Sequence, residues 1–303
     1  MTQLCRARVG PVDYARGNGG PAHAVRRFVI VTTTLTANRA GRPVGELLRE
    51  WRDRRRISQL DLAISAEIST RHLSFVETGR SKPSRDMVLR LGEHLEVPLR
   101  ERNQLLLAAG YAPAYPEGGL GDPELAAVRQ AVRQLLTSHE PYPAAVVDRG
   151  WNLVDANASV SIMTDLVSPT LMTPPVNVLR LTLHPEGMAP YVRNLGEWRA
   201  HLLGRLRRQV TQTADPALTE LLEELLTYPC EDPVPEVEVP GPGDIFVPLR
   251  LRHEGVDLTF FSTVSTFGTP LDITVAELVI ESFFPADPGT AEYLRAHPRR
   301  GVE

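Results

Sequence analysis

A chain of 303 residues with 42% hydrophobic content is long enough to bury two ordinary cores, and two domains are expected. Its net charge of -4 is unevenly spread, with five Arg against one Asp in residues 1–38, fourteen basic against ten acidic in 39–110, and fourteen against twenty-six in 111–303; this suits a nucleic-acid-facing N-terminal module beside an acidic remainder. Two distant cysteines, Cys5 and Cys230, exclude a disulfide framework and a zinc site, and no run reaches the ~18 apolar residues of a membrane span, so a cytoplasmic protein is expected.

Residues 1–40 cluster Gly, Pro and Arg and are predicted to form a disordered arm. FVIVTTTLT is too short and too rich in Thr for a signal peptide. VTTTLTANRAGRP has the character of an ordinary N-terminal tail, which makes Val31 an alternative start that intact-mass analysis would test.

From Pro43 to Arg56, Val44, Leu47, Leu48 and Trp51 recur at helical spacing. Ser58 with Asp61 forms an approximate capping box for SQLDLAIS, whose Leu60, Leu62, Ala63 and Ile64 supply apolar surface. After the short turn AEI, Ser69 starts a third helix that buries Leu73 and Val76 and ends at Gly79. Ser84 caps a fourth, and LRERNQLLLAAG gives a fifth. The predicted fold class is therefore multidomain, with an all-α five-helix helix-turn-helix bundle over 41–112, a Pro- and Gly-rich linker over 113–121, a second domain over 122–295 and a tail over 296–303.

In the second part, Asp122 and Pro123 start a helix at N-cap and N1, with Leu125, Val128, Val132 and Leu135 on one face. AAVVD and WNLVD read as strands around a tight RG turn, followed by a helix in NASVSIMTDL. Helices are expected from about Ala189 to Val210 and after Asp215, and PCEDPVPEVEVPGPGD is an acidic surface loop. DIFVPLRLRHEGVDLTFFSTVSTF alternates around Glu254 and Gly255 as a second hairpin, and AELVIESFFP adds a strand. The order points to an α+β sensor-like domain.

Two helices joined by a tight turn can lay the second in the DNA major groove. That geometry assigns phosphate contact to Gln59, base readout to Thr70, Arg71 and Ser74 with Ser69 and Phe75 beside them, and a phosphate clamp to Arg80, Ser81 and Lys82. Double-stranded operator DNA is the expected partner, and half-site reading implies a homodimer.

QLDLAISAEISTRHLSFVETGRSKPSRDMVLRLGEHL resembles the helix-turn-helix of the Xre or lambda-repressor type, through Gln59, Leu62, Ala63, Glu77, Gly79 and Pro83. Where many members have Gly in the turn, this chain has Glu67. RHLSFVETGRSKPSRDMVLRL, PLRERNQLLLAAGYAP, PYPAAVVDRGWNLVDANA, NVLRLTLHPEG and FGTPLDITVAELVIESFFPAD resemble bacterial regulators that carry an MmyB-like ligand-binding domain. The match runs from about residue 43 to 295, departing where Leu195 follows Asn194 in a place members often fill with Trp. The resemblance implies a PAS-like C-terminal domain holding a fatty acid or similar apolar molecule. Phe260, Phe261, Phe267, Phe283 and Phe284 are candidates to line such a cavity, with Arg180 or His184 meeting a carboxylate.

An enzyme is not expected, and neither is a cofactor or metal, because the chain lacks a phosphate loop, a dinucleotide fingerprint, a nucleophile elbow and a His pair at ligand spacing. The competing reading is a protein-interaction module of antitoxin or adaptor type. A steep salt dependence of binding separates DNA from protein contact.

Overall fold

The computed structural model describes residues 41–232 and 246–297. The expected N-terminal arm with Val31, most of the acidic Pro-rich loop and the end of the tail lie outside the described residues.

Five helices make the first body: α1 Val44–Arg55, α2 Gln59–Ser65, α3 Thr70–Glu77, α4 Arg85–His94 and α5 Leu99–Ala108. The serines before α2, α3 and α4 cap them, Ser58 accepting the N–H of Asp61, Ser69 that of His72 and Ser84 that of Met87. Trp51, Leu62, Leu73, Leu91 and Leu105 close the core. Leu60 and Ile64 do not join it and stay 56% and 66% exposed. Helix α2 makes barely two turns, so Leu62 and Ala63 use its inward face while the i,i+4 pair lies on the other side. In the α2–α3 turn Glu67 takes φ +55°, the left-handed geometry that Gly adopts without penalty, at a cost on the order of 1–2 kcal/mol.

The segment expected as a linker is held from both sides. Asn103 Oδ1 on α5 accepts the N–H of Ala114 at 2.9 Å and of Tyr115 at 3.1 Å, and its Nδ2 donates to the Tyr115 carbonyl at 2.7 Å. From the second body, the N–H of Ile273 donates to the Pro116 carbonyl at 2.9 Å and the Asp272 carboxylate accepts the N–H of Gly118 at 3.1 Å.

A 3₁₀ turn, Pro123–Leu125, leads into α6 Ala126–Ser138. Asp122 does not cap it; its carboxylate accepts the N–H of Gly119 instead. Leu136 rather than Leu135 faces the core, a shift of one position or about 100° around the helix. Next come β1 Ala144–Val147, β2 Leu153–Ala156, α7 Ser161–Thr164, α8 Val178–Leu183, α9 Leu195–Thr213, α10 Pro216–Leu226, β3 Leu249–His253, β4 Val256–Ser265, α11 Ile273–Ala276, β5 Val279–Pro285 and α12 Pro288–Ala296. The helical run expected from Ala189 is interrupted: one 3₁₀ turn ends at Tyr191, and Val192 then bridges to Leu251 of β3 before α9 starts.

The strands form one antiparallel sheet in the order β2-β1-β5-β4-β3. AELVIESFFP supplies its central strand, with Glu281 opposite Ala145 on one side and Phe284 opposite Phe261 on the other. Glu254 and Gly255, both at positive φ, make the two-residue turn of the β3–β4 hairpin. Alternation along the strands gives two faces. Ala144, Val146 and Ile280 pack with Val132 and Leu136 of α6, while Leu249, Leu258 and Phe260 pack with Leu179, Leu206 and Leu221 from α8, α9 and α10. The architecture is thus an all-α bundle followed by an α+β domain, as the sequence predicts.

Candidate functional site

The bundle presents α3 through its first turn and its far end. Arg71 is exposed, Thr70 and Ser74 are half-buried, and Leu73 and Val76 anchor the helix from behind. Phe75 carries two guanidiniums, Arg71 at 5.3 Å and Arg80 at 5.9 Å from its ring centre. Lys82 lies over the Tyr111 ring at 5.3 Å, and Tyr111 donates its hydroxyl to the Pro83 carbonyl at 3.0 Å. Such contacts restrain long cationic chains without neutralising them. Ser81 is half-buried beside Arg80. Gln59 is engaged inside the protein: its Nε2 donates to Glu77 Oε2 at 2.7 Å, and Glu77 also takes a two-pronged bond from buried Arg52 at 2.7 and 3.1 Å. This network ties α1, α2 and α3 together and fixes the angle at which α3 is displayed.

The second domain holds a cavity of about 80 Å³ between the sheet and α7, α8 and α9. Its walls are Ala145, Val147, Leu153, Glu281 and Phe283 from the sheet, Trp151 from the β1–β2 turn, and Met163, Leu179, Thr182, Met188, Trp198 and Leu202 among others from the helical side. Of the seven residues proposed from sequence, Phe283 alone reaches it. Phe260 is fully buried in the core, and Phe267 packs with the α6 cluster. Phe261 and Phe284 stack at 5.2 Å on the opposite sheet face, because they alternate with Phe260 and Phe283. Arg180 is engaged by the Glu224 carboxylate at 2.8 and 2.6 Å, and the hydrogen bond to Arg180 holds the Glu224 carboxyl below its ordinary pKa. Tyr228 donates to the same carboxylate, and burial followed by that bond pushes its phenol up to about 12. His184 accepts the Glu186 N–H through Nδ1 and packs edge-on against Tyr228.

Residues that sequence reasoning missed join this cavity to the bundle. Trp151 Nε1 donates to Gln209 Oε1 at 2.7 Å, and Gln209 Nε2 donates to the Arg149 carbonyl at 2.8 Å. Arg149 then meets Glu101 of α5 at 3.0 Å, Glu277 at 3.2 Å and Asp215 at 2.6 Å. Arg100, beside Glu101, makes a second two-pronged contact with Glu277 at 2.8 and 2.9 Å. Burial raises the Glu101 carboxyl above its ordinary pKa, with Arg149 opposing. The visible sign in the sequence was small: Arg149 sits in what reads as a plain RG turn, and Glu101 in an ordinary charged helix face.

A capped helix pair with exposed Arg71 on its second helix and Arg80 and Lys82 just beyond it, joined to an α+β domain with an apolar cavity, is the make-up of a DNA-binding regulator with a ligand domain. Family comparison agrees: a helix-turn-helix domain matches residues 43–105, and the MmyB-like transcription regulator ligand binding domain matches residues 128–296. The chain belongs to the MmyB-like transcription regulators. No curated protein matches it. Among solved structures it is similar to an RNA-binding light-oxygen-voltage receptor at 11% identity and a TM-score of 0.24, covering 85% of this chain and 62% of that one. Among the described residues, no helix is long and apolar enough to cross a membrane.

Proposed function

We propose that this protein is a cytoplasmic, homodimeric, sequence-specific DNA-binding regulator whose operator occupancy responds to a small apolar molecule in the cavity between the sheet and α7, α8 and α9. The observation that carries the reading is the continuous contact path from the cavity wall at Trp151, through Gln209 and Arg149, to Glu101 on the DNA-binding bundle. A ligand changes operator occupancy only by binding the DNA-competent and incompetent states with different affinity. Displacing Trp151 shifts the Arg149 turn, and with it the seat of α5, which supplies that difference. Base readout falls to Thr70, Arg71 and Ser74, with Arg80, Ser81 and Lys82 on phosphates. Gln59 holds Glu77 with one Nε2 hydrogen, and in this reading its second Nε2 hydrogen and its backbone N–H at the start of α2 serve the phosphate. The apolar walls favour an apolar ligand; the fatty acid rests on the family resemblance. No catalytic role is proposed.

Fluorescence anisotropy of the full chain on its own upstream DNA, with excess unrelated DNA as competitor, tests the reading. Retained binding and a steep salt slope support it. Loss of binding to the competitor, with a flat salt slope, favours the protein-interaction module, for which exposed Leu60 and Ile64 on α2 offer an apolar contact.

A further inference from the structure

We propose that Tyr111, where α5 passes into the linker, is a positioning residue for DNA binding: its ring holds the Lys82 ammonium ready for a backbone phosphate. This rests on the reading of Lys82 as part of the phosphate clamp and adds the group that sets the clamp.

Lys82 is the only lysine among the 33 Lys and Arg side chains of the protein, and it stands in the connection between α3 and α4. It is exposed and forms no ion pair among the described residues. Its neighbour is Tyr111, whose ring centre lies 5.3 Å from Nζ and whose hydroxyl donates to the carbonyl of Pro83, the next residue, at 3.0 Å. Tyr111 thus holds the clamp twice, once by its side chain and once by its backbone. The end of α5 fixes Tyr111 in turn. Gly110 takes φ +81°, its N–H donates to the Leu107 carbonyl at 2.9 Å, and the Tyr111 N–H donates to the Leu106 carbonyl at 2.8 Å, a left-handed cap that sends the chain back across the helix end. A Cβ on Gly110 would stand 3.4 Å from Lys82 Nζ, so glycine also leaves the ammonium its room. Beyond Tyr111 the linker is pinned by Asn103 of α5 and, at Pro116 and Gly118, by Ile273 and Asp272 of the ligand domain. Tyr111 therefore stands between the clamp and the stretch that the ligand domain holds.

An aromatic ring suits this task better than a carboxylate. Lysine carries its charge on a flexible four-carbon stem, and fixing that stem on a phosphate costs rotamer freedom. A partner that already holds the ammonium removes part of the cost before DNA arrives. A carboxylate would do so by neutralising the charge and would then compete with the phosphate. The ring attracts the cation through its face without cancelling it, and N–H donors on the far side of the ammonium stay open to a phosphate oxygen. Arg71 and Arg80 lie over Phe75 in the same manner, so the readout helix and the clamp share one device.

The test uses the full chain and an unrelated DNA duplex at low salt, since a phosphate contact needs no operator. Anisotropy titrations compare wild type, Tyr111→Leu, Tyr111→Phe, Lys82→Ala and the double variant Tyr111→Leu with Lys82→Ala, with urea denaturation as the control for folding. Tyr111→Leu should weaken binding by about three- to tenfold, the cost of immobilising a free lysine chain, and Tyr111→Phe, which keeps the ring, should recover most of that loss. In the Lys82→Ala background Tyr111→Leu should cost nothing further, because its role acts through Lys82. In protein labelled with carbon-13 lysine, the single lysine side-chain signal should lie upfield of free lysine through the ring's shielding, with and without DNA, and should return to the free position in Tyr111→Leu. Undiminished binding by Tyr111→Leu, or the same loss with and without Lys82, overturns the positioning role and leaves the clamp reading standing. Lys82→Ala binding as tightly as wild type overturns the clamp reading itself. If Tyr111→Leu does not fold, the wild-type signal decides: upfield in free and DNA-bound protein supports the role, and the free-lysine position in either overturns it.

Discussion

Arg149 is the most informative residue to remove, because its three carboxylate partners are left in different states. Glu277 keeps Arg100 at 2.8 Å, and Asp215 keeps its role as the cap of α10, accepting the N–H of Ala217. Glu101 loses its cation: the side chain is 3% exposed, Oε1 pairs with Arg149 at 3.0 Å, and Oε2 is buried with no hydrogen-bond partner. Breaking one side of a buried pair leaves an uncompensated charge, so Arg149→Ala should lower the unfolding free energy by about 3–5 kcal/mol in urea denaturation. Replacing both partners, Arg149→Met with Glu101→Met, removes the stranded charge and should bring stability back to within about 1 kcal/mol of the wild type. A pH series adds an independent sign. The Glu101 carboxyl is raised in the folded chain, chiefly by burial, so its contribution is fully present below the unfolded carboxylate pKa and is lost as pH rises through the folded one. Glu101→Gln stays neutral, so it should gain on the wild type as pH climbs through that window. An Arg149→Ala loss under ~1 kcal/mol, additive with the Glu101 change, would refute the argument, since coupled partners do not add.

Arg71→Ala should weaken operator binding by about 1–3 kcal/mol and relax preference at one base; equal losses on random DNA in anisotropy titrations would remove it from readout. Lys82→Ala should weaken both DNAs alike and flatten the salt slope, and an operator-only effect would contradict the phosphate clamp. Ser69→Ala deletes the cap of α3 and should cost about 1 kcal/mol in thermal or urea unfolding. Gly45→Ala should cost at least about 1–3 kcal/mol, because the added Cβ would stand 2.2 Å from the Val76 carbonyl where α1 crosses α3; a neutral result would mean that the two helices can separate freely.

The bundle was legible because its instructions are local. Ser58, Ser69 and Ser84 each bond a group three residues ahead, and a reader needs no tertiary knowledge to see them. Even Glu67, where the helix-turn-helix resemblance implies Gly, left the turn intact, because the surrounding helices hold its positive φ. Periodicity was weaker evidence wherever it had to choose a side. Leu60 and Ile64 are correctly spaced for a helical stripe yet face outward, and Leu135 lost its place to its neighbour Leu136. Such choices depend on which partner helix arrives, which is information held elsewhere in the chain.

The cavity was less legible for the same reason at longer range. Its walls run from Ala145 to Phe283, and no stretch of sequence contains them together. An aromatic cluster such as FF invites assignment of both rings to one site, but on a strand adjacent residues must face opposite ways, so only Phe283 of that pair can be a wall. Arg180 invites a ligand carboxylate because Glu224, its actual partner, is 44 residues away. What the strand did announce was an inconsistency: in VIESFF a Glu shares the inward phase with Val279 and Phe283. A charge placed on a buried face costs energy unless something meets it, and here Arg205 and Ser262 do. The same rule that makes an aromatic ring uninformative makes Glu281 and Arg149 informative, since apolar residues need only be buried whereas charges must be buried against a particular partner.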